Sequence, residues 1–483
     1  MTPEAPRLPL LRPLGVLEKF MVARSQLGVY QKVAVAARYK RAKLGGDLDQ
    51  KKALYAALAV VISQHPNLSI VPVNLDSPEP SFARLPSVDL DQVIKFVEVE
   101  DELAADGDHR FPALDRILET EHSQSWNITT PPTLPLWRLH VLQQQNGGNT
   151  SSSFILCYFF HHSIGDTKSA LVFHQALEAA LNRTRPVEGK GEPVSKVRTI
   201  SRLPLLPPLD YFVDTSATGG SNVSQGQEAP DGVWTGAVQS LPVKTRFRSL
   251  WLTADETSRF LRVCKDNGVS LTAALHAMLV GALFGKLPQE YRTVKIDCAI
   301  SLRDWLPDPV GAESMGVFVD TFFETYQRPV TVLQDSDGPN RAFFSWTMAK
   351  ESRKRIERVV QERKGDGLLA RLSQVQDVES WTVEKLGQRR TTSLELSNVG
   401  KIPSLVDVAE KEKHYLYVIE SLVFSQSAGA LSGAIKVSCV TGRDGRLVLG
   451  FTWQEGVVDE DMVDGVMSEF QLILYRELHL KMP

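Results

Sequence analysis

Cysteine is scarce in this sequence, with four residues in a chain of 483. Cys157, Cys264, Cys298 and Cys439 lie far apart, fall in apolar stretches and form no CxxC pair. A disulfide-stapled fold and a cysteine-based metal cage are therefore not expected. We interpret the four side chains as reduced core residues, which is typical of a cytoplasmic protein.

An excess of charge is also missing. The formal net charge is −3, and acidic and basic residues are interleaved along the chain. Without a basic field there is no electrostatic basis for binding a phosphate backbone, so nucleic acid is not expected as a partner. The basic segment from Lys350 to Lys364 also contains glutamates. We interpret it as a solvated helix face in preference to a site for the phosphates of a nucleotide.

Long apolar runs are absent as well. The longest candidate, Leu271–Phe284, has 14 residues, whereas about 20 are needed to span a bilayer. We predict a buried core helix there and no transmembrane segment. The N-terminus has an early acidic residue and several prolines, so it does not read as a secretory signal. The apolar segment Met467–Leu480 leaves peripheral contact with a membrane open, although we expect it to pack on the core.

Three familiar catalytic motifs are missing too. The sequence contains no G-x-S-x-G, no H-E-x-x-H and no G-x-G-x-x-G that follows a strand. These absences remove the usual turn of a serine hydrolase, the usual helix of a zinc peptidase and the simplest dinucleotide site. No metal is expected.

What is present is a strand, a polar turn and a helix within Ser153–Leu181. Phe154–Phe160 is an apolar, aromatic-rich run that is typical of a strand buried on both faces. It ends at His161 and His162, and Gly165 and Asp166 then supply turn and N-cap chemistry. Apolar residues recur at helical spacing over the following residues up to Leu181.

A second strand is predicted just before this segment. Trp137, Leu139 and Val141 alternate with polar residues, as in a strand that has one polar face. The loop that follows is rich in Gly, Asn and Ser, which favours a hairpin with Phe154–Phe160. The strand that leads to the two histidines should therefore lie inside a sheet.

A histidine held at the end of a strand can act as a general base. Its ordinary pKa of about 6.5 leaves the ring mostly neutral at pH 7. An aspartate four residues further on can fix the turn through backbone amides or an arginine. The HxxxD pattern alone also occurs by chance or with histidines that are only core residues. The surrounding strand and helix favour the functional interpretation.

The length of the chain exceeds one ordinary core, and we predict two domains. The composition changes between Arg183 and Lys244, where proline, glycine and serine dominate. We therefore predict an N-terminal half over 1–182, a partly flexible crossover over 183–245 and a C-terminal half over 246–483.

His161 and His162-Ser-Ile-Gly-Asp166 resemble the HHxxxD signature of the chloramphenicol acetyltransferase-like superfamily. Further blocks resemble the fungal alcohol acetyltransferase family and occur in its order: RPLGVLEKFMVARSQLGVYQKVAVAARY, SLRDWLP, MGVFVDTF, ELSNVG and FSQSAGALSGAIKVSCVTGRDGRLVLGFTWQEGVV. They are spread over nearly the whole chain. One departure is Thr167, since many relatives have glycine after the aspartate.

The resemblance implies an α/β fold of two chloramphenicol acetyltransferase-like domains. Each would be a mixed β-sheet with flanking helices, and the active-site tunnel would lie between them. Donor acetyl-CoA and a small-molecule alcohol would meet in this tunnel, in a protein that we expect to be a monomer. Direct transfer in a ternary complex would make it an O-acyltransferase. An N-acyltransferase, a condensation-type enzyme that uses a carrier protein, and a non-catalytic binding member of the fold stay open as alternatives.

The resemblance also implies roles for individual residues. His162 would be the general base, and His161 would shape the site beside it. Asp166 would be structural and would pair with Arg303 of SLRDWL. The remaining candidates form two pairs: Ser397 and Asn398, in what looks like a turn near the oxyanion, and Ser425 and Gln426, in the tunnel wall.

Overall fold

The computed structural model describes residues 8–41, 49–100, 111–126, 128, 132–144, 153–183, 193–199, 203–213, 232–329, 343–362, 368–403 and 415–481. The strands are β1 Leu10–Pro13, β2 Val33–Arg41, β3 Ile70–Val73, β4 Ser81–Arg84, β5 Ser87–Asp89, β6 Ile94–Val99, β7 Trp137–Gln144, β8 Ser153–Phe160, β9 Lys196–Arg198, β10 Thr245–Leu252, β11 Thr293–Ser301, β12 Val319–Gln327, β13 Leu394–Lys401, β14 Tyr417–Gln426, β15 Ile435–Thr441 and β16 Leu447–Gln454. The helices are α1 Val16–Gln26, α2 Gln50–Gln64, α3 Leu90–Val93, α4 Pro112–His122, α5 Thr167–Arg183, α6 Ala254–Asp266, α7 Leu271–Lys286, α8 Trp346–Glu362, α9 Leu368–Leu372, α10 Val378–Glu384 and α11 Glu460–Glu477.

The first large sheet has the strand order β14-β2-β8-β7-β6. Strand β8 lies at its centre and pairs antiparallel with β2 on one side and β7 on the other, which confirms the predicted hairpin. Leu156, Tyr158 and Phe160 face the core that includes α2 and α5. Cys157 and Phe159 face a second apolar cluster, which includes residues of α4, β10 and β16. The alternation explains the continuous apolar sequence of β8, since both of its faces are buried.

The second large sheet has the order β10-β16-β15-β13-β11-β12. Strands β11, β13 and β15 run parallel to one another, and the other neighbours are antiparallel. Helices α7 and α11 pack together in the core of this lobe. The predicted core helix is confirmed, because α7 is buried along almost its whole length. Phe470 and Leu474 of α11 are also buried, so the terminal segment packs on the core as expected.

Strand β14 connects the two sheets. It belongs by sequence to the range 246–483, yet it pairs antiparallel with β2 at the edge of the first sheet. The next strand, β15, lies in the second sheet. The fold is therefore a mixed α/β structure with two lobes that share a strand connection; the domain boundaries at 182 and 245 stay a prediction.

The crossover contains some regular structure. Strand β9 pairs with β5 of the first lobe, and Leu209 is buried in an apolar cluster with residues of α1. Residues 214–231, which include most of the Gly/Ser-rich stretch, lie outside the described residues. Among the helices that the structure describes, no single one is long and apolar enough to cross a membrane; α6 and α7 pass a length and composition test only as a pair bent by 99°.

Candidate active site

The turn between β8 and α5 is stabilised by the first of its two histidines. The His161 side chain is fully buried, and its Nδ1 accepts a hydrogen bond of 3.1 Å from the backbone N–H of Ser163. Burial and the neighbouring His162 ring lower the pKa of His161 to about 3, so the ring is neutral. Within the described residues His161 does not line the cavity discussed below. His161 therefore supports the turn, and its role in shaping the site beside His162 stays a prediction.

His162 lines a cavity between the two sheets. Burial is the main cause that lowers the pKa of His162 to about 4, and the positive charge of Arg24 acts in the same direction. The imidazole is consequently neutral at pH 7 and can accept a proton. Its ring centroid lies 6.2 Å from that of Tyr30, which also lines the cavity.

Asp166 and Arg303 form a buried, bidentate ion pair. The Arg303 Nη1 and Nη2 groups donate to Asp166 Oδ2 at 2.7 Å and to Oδ1 at 2.8 Å. The backbone N–H groups of Ser169 and Phe318 donate to the same carboxylate at 3.0 and 3.1 Å. Burial by itself would raise the pKa of Asp166, but the Arg303 charge and these hydrogen bonds hold it below the ordinary value. The predicted pair is therefore present, and its carboxylate is fully engaged by the protein.

This pair explains why the segment before β12 is not a strand. The backbone carbonyls of Ser314 and Gly316 accept hydrogen bonds from Arg303 at 3.1 and 3.3 Å. Strand β12 accordingly begins only at Val319. Residues 315–318 instead contact the ion pair through their backbone and connect the second lobe to the N-terminus of α5.

Gly165 and Thr167 complete the turn. A Cβ atom on Gly165 would lie 2.8 Å from Ser169 Cβ, so only glycine fits without a shift. Thr167 is the first residue of α5 and has no positive φ angle. An ordinary helical residue is therefore acceptable there, which accounts for the threonine where many relatives have glycine.

Ser397 and Asn398 line the cavity from β13. Their interpretation as a turn is wrong, because β13 runs on to Lys401 with a register shift after Asn398. The Asn398 side chain is occupied: its Nδ2 donates to Thr272 Oγ1, and its Oδ1 accepts from the Gly400 N–H, both at 3.0 Å. Ser397 Oγ makes no hydrogen bond with the described part of the chain, and its hydroxyl is available to a ligand.

Ser425 and Gln426 lie on opposite faces of β14, because side chains alternate along a strand. Gln426 lines the cavity, and its Oε1 accepts a hydrogen bond of 3.2 Å from the Tyr30 hydroxyl. Ser425 does not line the cavity; its Oγ lies 2.8 Å from Nε2 of the buried His122. The placement of Ser425 in the tunnel wall is therefore wrong.

Charged residues of the cavity were missed by the sequence interpretation. Arg24 comes from α1, and Asp297, Glu395 and Lys436 come from three strands of the second sheet. The available signal was an ionisable residue inside an otherwise apolar strand, as with Lys436 in AIKVSCV. Such a position predicts a buried charge, but it does not say which cavity the charge faces.

The basic helix lies elsewhere. Arg353 and Lys354 of α8 are exposed and pair with Glu357 and Glu351 of the same helix at 2.6 and 2.7 Å. Neither Arg353 nor Lys354 lines the cavity. This part of α8 is therefore a solvent-exposed helix face.

A model of the alcohol acetyltransferase family matches residues 13–477. The probable alcohol acetyltransferase crmB of Aspergillus fumigatus is 30% identical over 462 residues, which cover 94% of this chain and 96% of that protein. The probable alcohol acetyltransferase FCK4 of Fusarium pseudograminearum is 21% identical over 490 residues and covers 96% and 95% of the two chains.

Solved structures share the fold at low identity. The trichothecene 15-O-acetyltransferase TRI3 of Fusarium sporotrichioides superimposes with a TM-score of 0.69 and 13% identity, with full coverage of both chains. The first condensation domain of the calcium-dependent antibiotic synthetase gives a TM-score of 0.62 and 12% identity and covers 98% and 97% of the two chains. With the family match over almost the whole sequence, these findings establish that the chain is an acyltransferase and belongs to the alcohol acetyltransferase family.

Proposed function

We propose that this protein transfers an acetyl group from acetyl-CoA to the hydroxyl group of a small-molecule alcohol, with His162 as general base. The observation that carries the proposal is a neutral histidine that lines the cavity between the two lobes. The turn that holds it is fixed by the Asp166–Arg303 pair. Asp166 is saturated with protein donors and has no part in proton transfer.

The reaction involves acetyl-CoA, the acceptor and two groups of this chain, the His162 imidazole and the Ser397 hydroxyl. Acetyl-CoA supplies the thioester whose carbonyl carbon is attacked. His162 removes the proton of the acceptor hydroxyl while its oxygen forms a bond to that carbon. The Ser397 hydroxyl donates to the carbonyl oxygen as negative charge develops there. His162 then returns its proton to the sulfur as the carbon–sulfur bond breaks, which yields the ester and free CoA. No acyl-enzyme is required, because both substrates meet in one cavity.

The test compares wild type with His162→Ala in an assay of CoA release from acetyl-CoA with a panel of alcohols. Loss of the base should lower the acceptor-dependent rate on the order of 10²–10⁴-fold. His479→Asn is the matched control: this histidine is exposed and has a positive φ angle, which asparagine tolerates. Equal rates of His162→Ala and wild type would refute the role of His162.

The same panel separates the alternatives. Primary amines in place of alcohols test for an N-acyltransferase. Activity with free acetyl-CoA argues against a requirement for a carrier protein. Tight CoA binding without turnover of any acceptor would indicate a binding protein that retains the fold.

A further inference from the structure

Three ionisable residues stand side by side across the second sheet on its cavity face. Asp297 of β11 is the register partner of Glu395 on β13, and Glu395 is the partner of Lys436 on β15. All three line the cavity that contains His162. Lys436 Nζ lies 3.5 Å from a carboxylate oxygen of Glu395.

Arg24 faces this row from α1. Its Cζ lies 4.3 Å from the centroid of the Tyr30 ring, and Lys436 Nζ lies 4.4 Å from the same centroid. Arg24 also lies over the Phe20 ring, at 4.5 Å. No carboxylate among the described residues lies within ion-pair distance of Arg24. The two aromatic rings and the Met21 Sδ atom, which the Nη2 group contacts, therefore hold this guanidinium, and its other N–H groups keep capacity to donate.

Two polar atoms of the cluster are buried without a hydrogen-bond partner in the described chain: the Nε donor of Arg24 and the Oδ1 acceptor of Asp297. Buried polar groups in native proteins are almost always paired, because an unpaired group loses its hydration without compensation. One unused donor and one unused acceptor in the same cavity indicate a ligand group that can both accept and donate.

The charges of the cluster favour a neutral ligand group. Arg24 and Lys436 oppose Glu395 and Asp297, and the two further charges that act on Asp297, those of Arg371 and Asp320, also differ in sign. Neither sign is therefore in clear excess. Burial and the neighbouring Glu395 raise the pKa of Asp297 to about 7, so this carboxyl is partly protonated at neutral pH. A hydroxyl group matches such a site, because it can donate to a carboxylate and accept from a guanidinium.

The position relative to the reacting group follows from the strand. Glu395 and Ser397 lie on the same face of β13, two residues apart. This spacing corresponds to roughly 7 Å along the strand. A group bound to the cluster would therefore lie roughly that far from the carbonyl oxygen that Ser397 contacts.

We propose that Arg24, Asp297, Glu395 and Lys436 bind a second hydroxyl group of the acceptor. The preferred substrate class is then a diol or polyol rather than a simple alkanol. This inference rests on the proposed function and specifies its acceptor. A simple alkanol would place methylene groups against these side chains and leave Arg24 Nε and Asp297 Oδ1 unpaired. Polar groups left unpaired in this way are the basis of strong discrimination between substrates in polar sites.

The test uses straight-chain terminal diols of increasing length and the matching monohydric alcohols, with acetyl-CoA as donor. Wild type should show the highest kcat/KM for diols whose hydroxyl groups are separated by about 7 Å. In Asp297→Ala, kcat/KM for that diol should fall on the order of 10- to 100-fold, as expected for loss of a hydrogen bond to a charged group. The value for the matching monohydric alcohol should not fall, because that alcohol has no second hydroxyl group to bond with Asp297. Asp297→Asn, which keeps the shape, should lose less.

Controls distinguish the outcomes. Asp266→Asn changes an exposed aspartate at the end of α6 and should affect neither substrate. Equal losses for diol and monohydric alcohol in Asp297→Ala would assign Asp297 a structural role and overturn the inference. Equal wild-type kcat/KM values for diols and monohydric alcohols would also overturn it, while leaving the proposed function intact. A wild-type protein that acetylates no alcohol would refute the proposed function itself, and the subsite with it.

Discussion

Arg303 forms a bidentate ion pair with Asp166 across the boundary between the two lobes, with hydrogen bonds of 2.7 and 2.8 Å. Arg303 follows β11 of the second sheet, and Asp166 precedes α5, which packs on the first sheet. Both side chains are almost completely buried. The turn that carries His162 is thus held in place by the opposite lobe as well as by its own.

Arg303→Ala should destabilise the protein and lower its turnover. Removing one partner of a buried ion pair costs about 3–5 kcal/mol, because the other charge is left uncompensated. The midpoint of urea unfolding and the acceptor-dependent rate measure the two effects. Arg303→Lys should recover only part of the loss, since lysine cannot form the bidentate contact. Arg358→Ala, at an exposed position of α8, is the control, and the pairing would be rejected by unchanged stability and turnover in Arg303→Ala.

The pH dependence of the reaction should reflect the lowered pKa of His162. A base works in its deprotonated form, so kcat/KM should decline only as the pH falls toward about 4. An ordinary histidine would begin to lose activity near 6.5. Direct chromatographic measurement of CoA avoids thiol reagents that fail in acid. Recovery of full activity after return to neutral pH separates protonation from acid unfolding, and an acid limb at 6.5 would contradict the burial argument.

Ser397 and Ser425 should respond oppositely to alanine substitution. Ser397→Ala removes a free hydroxyl from the cavity and should lower kcat on the order of 10²–10³-fold, as for other oxyanion donors, without change in melting temperature. Ser425→Ala leaves the buried His122 Nε2 without its partner and should lower the melting temperature with little change in kcat. The reverse pattern would contradict the placement of Ser397 in the cavity and of Ser425 away from it.

Gly165→Ala should damage the turn through a steric effect. The new Cβ would come within 2.9 Å of Ser169 Oγ, which donates to Asp166 at 3.1 Å. Overpacking of this kind costs about 1–3 kcal/mol. Calorimetric unfolding and the acetylation rate provide the measurements. Gly311→Ala adds a methyl group where no atom lies within 4 Å and should be neutral, whereas equal stability of Gly165→Ala and wild type would show that the turn can yield.

Local sequence predicted the strand–turn–helix segment well. Phe154–Phe160 and the helix from Thr167 follow from apolar periodicity and turn residues, and these signals depend only on near neighbours. The Asp166–Arg303 contact could not be derived in this way, because 137 residues separate the two. Resemblance to a family supplied it.

Strand order and register could not be predicted. The apolar sequence of β14 suits either sheet, and only tertiary packing decides that it pairs with β2. Side chains alternate along a strand, so Ser425 and Gln426 face opposite sides of β14, and the resemblance alone does not say which of the two lines the cavity. The row of Asp297, Glu395 and Lys436 depends on the registers of two strand pairs at once, so the sequence shows its members only as separate charges.

The position of β14 also restricts how substrates reach His162. Strand β14 is hydrogen-bonded to β2 in the first sheet, and a short link joins it to β15 in the second sheet. A hinge motion that opened the cavity by separating the lobes would strain this link. An opening wider than this link can extend would cost backbone hydrogen bonds of the β14–β2 ladder. We therefore expect acceptor and donor to enter through the two ends of a passage whose sides stay closed. The width of these openings, rather than the rate at which the lobes separate, would then limit the size of the molecules that enter.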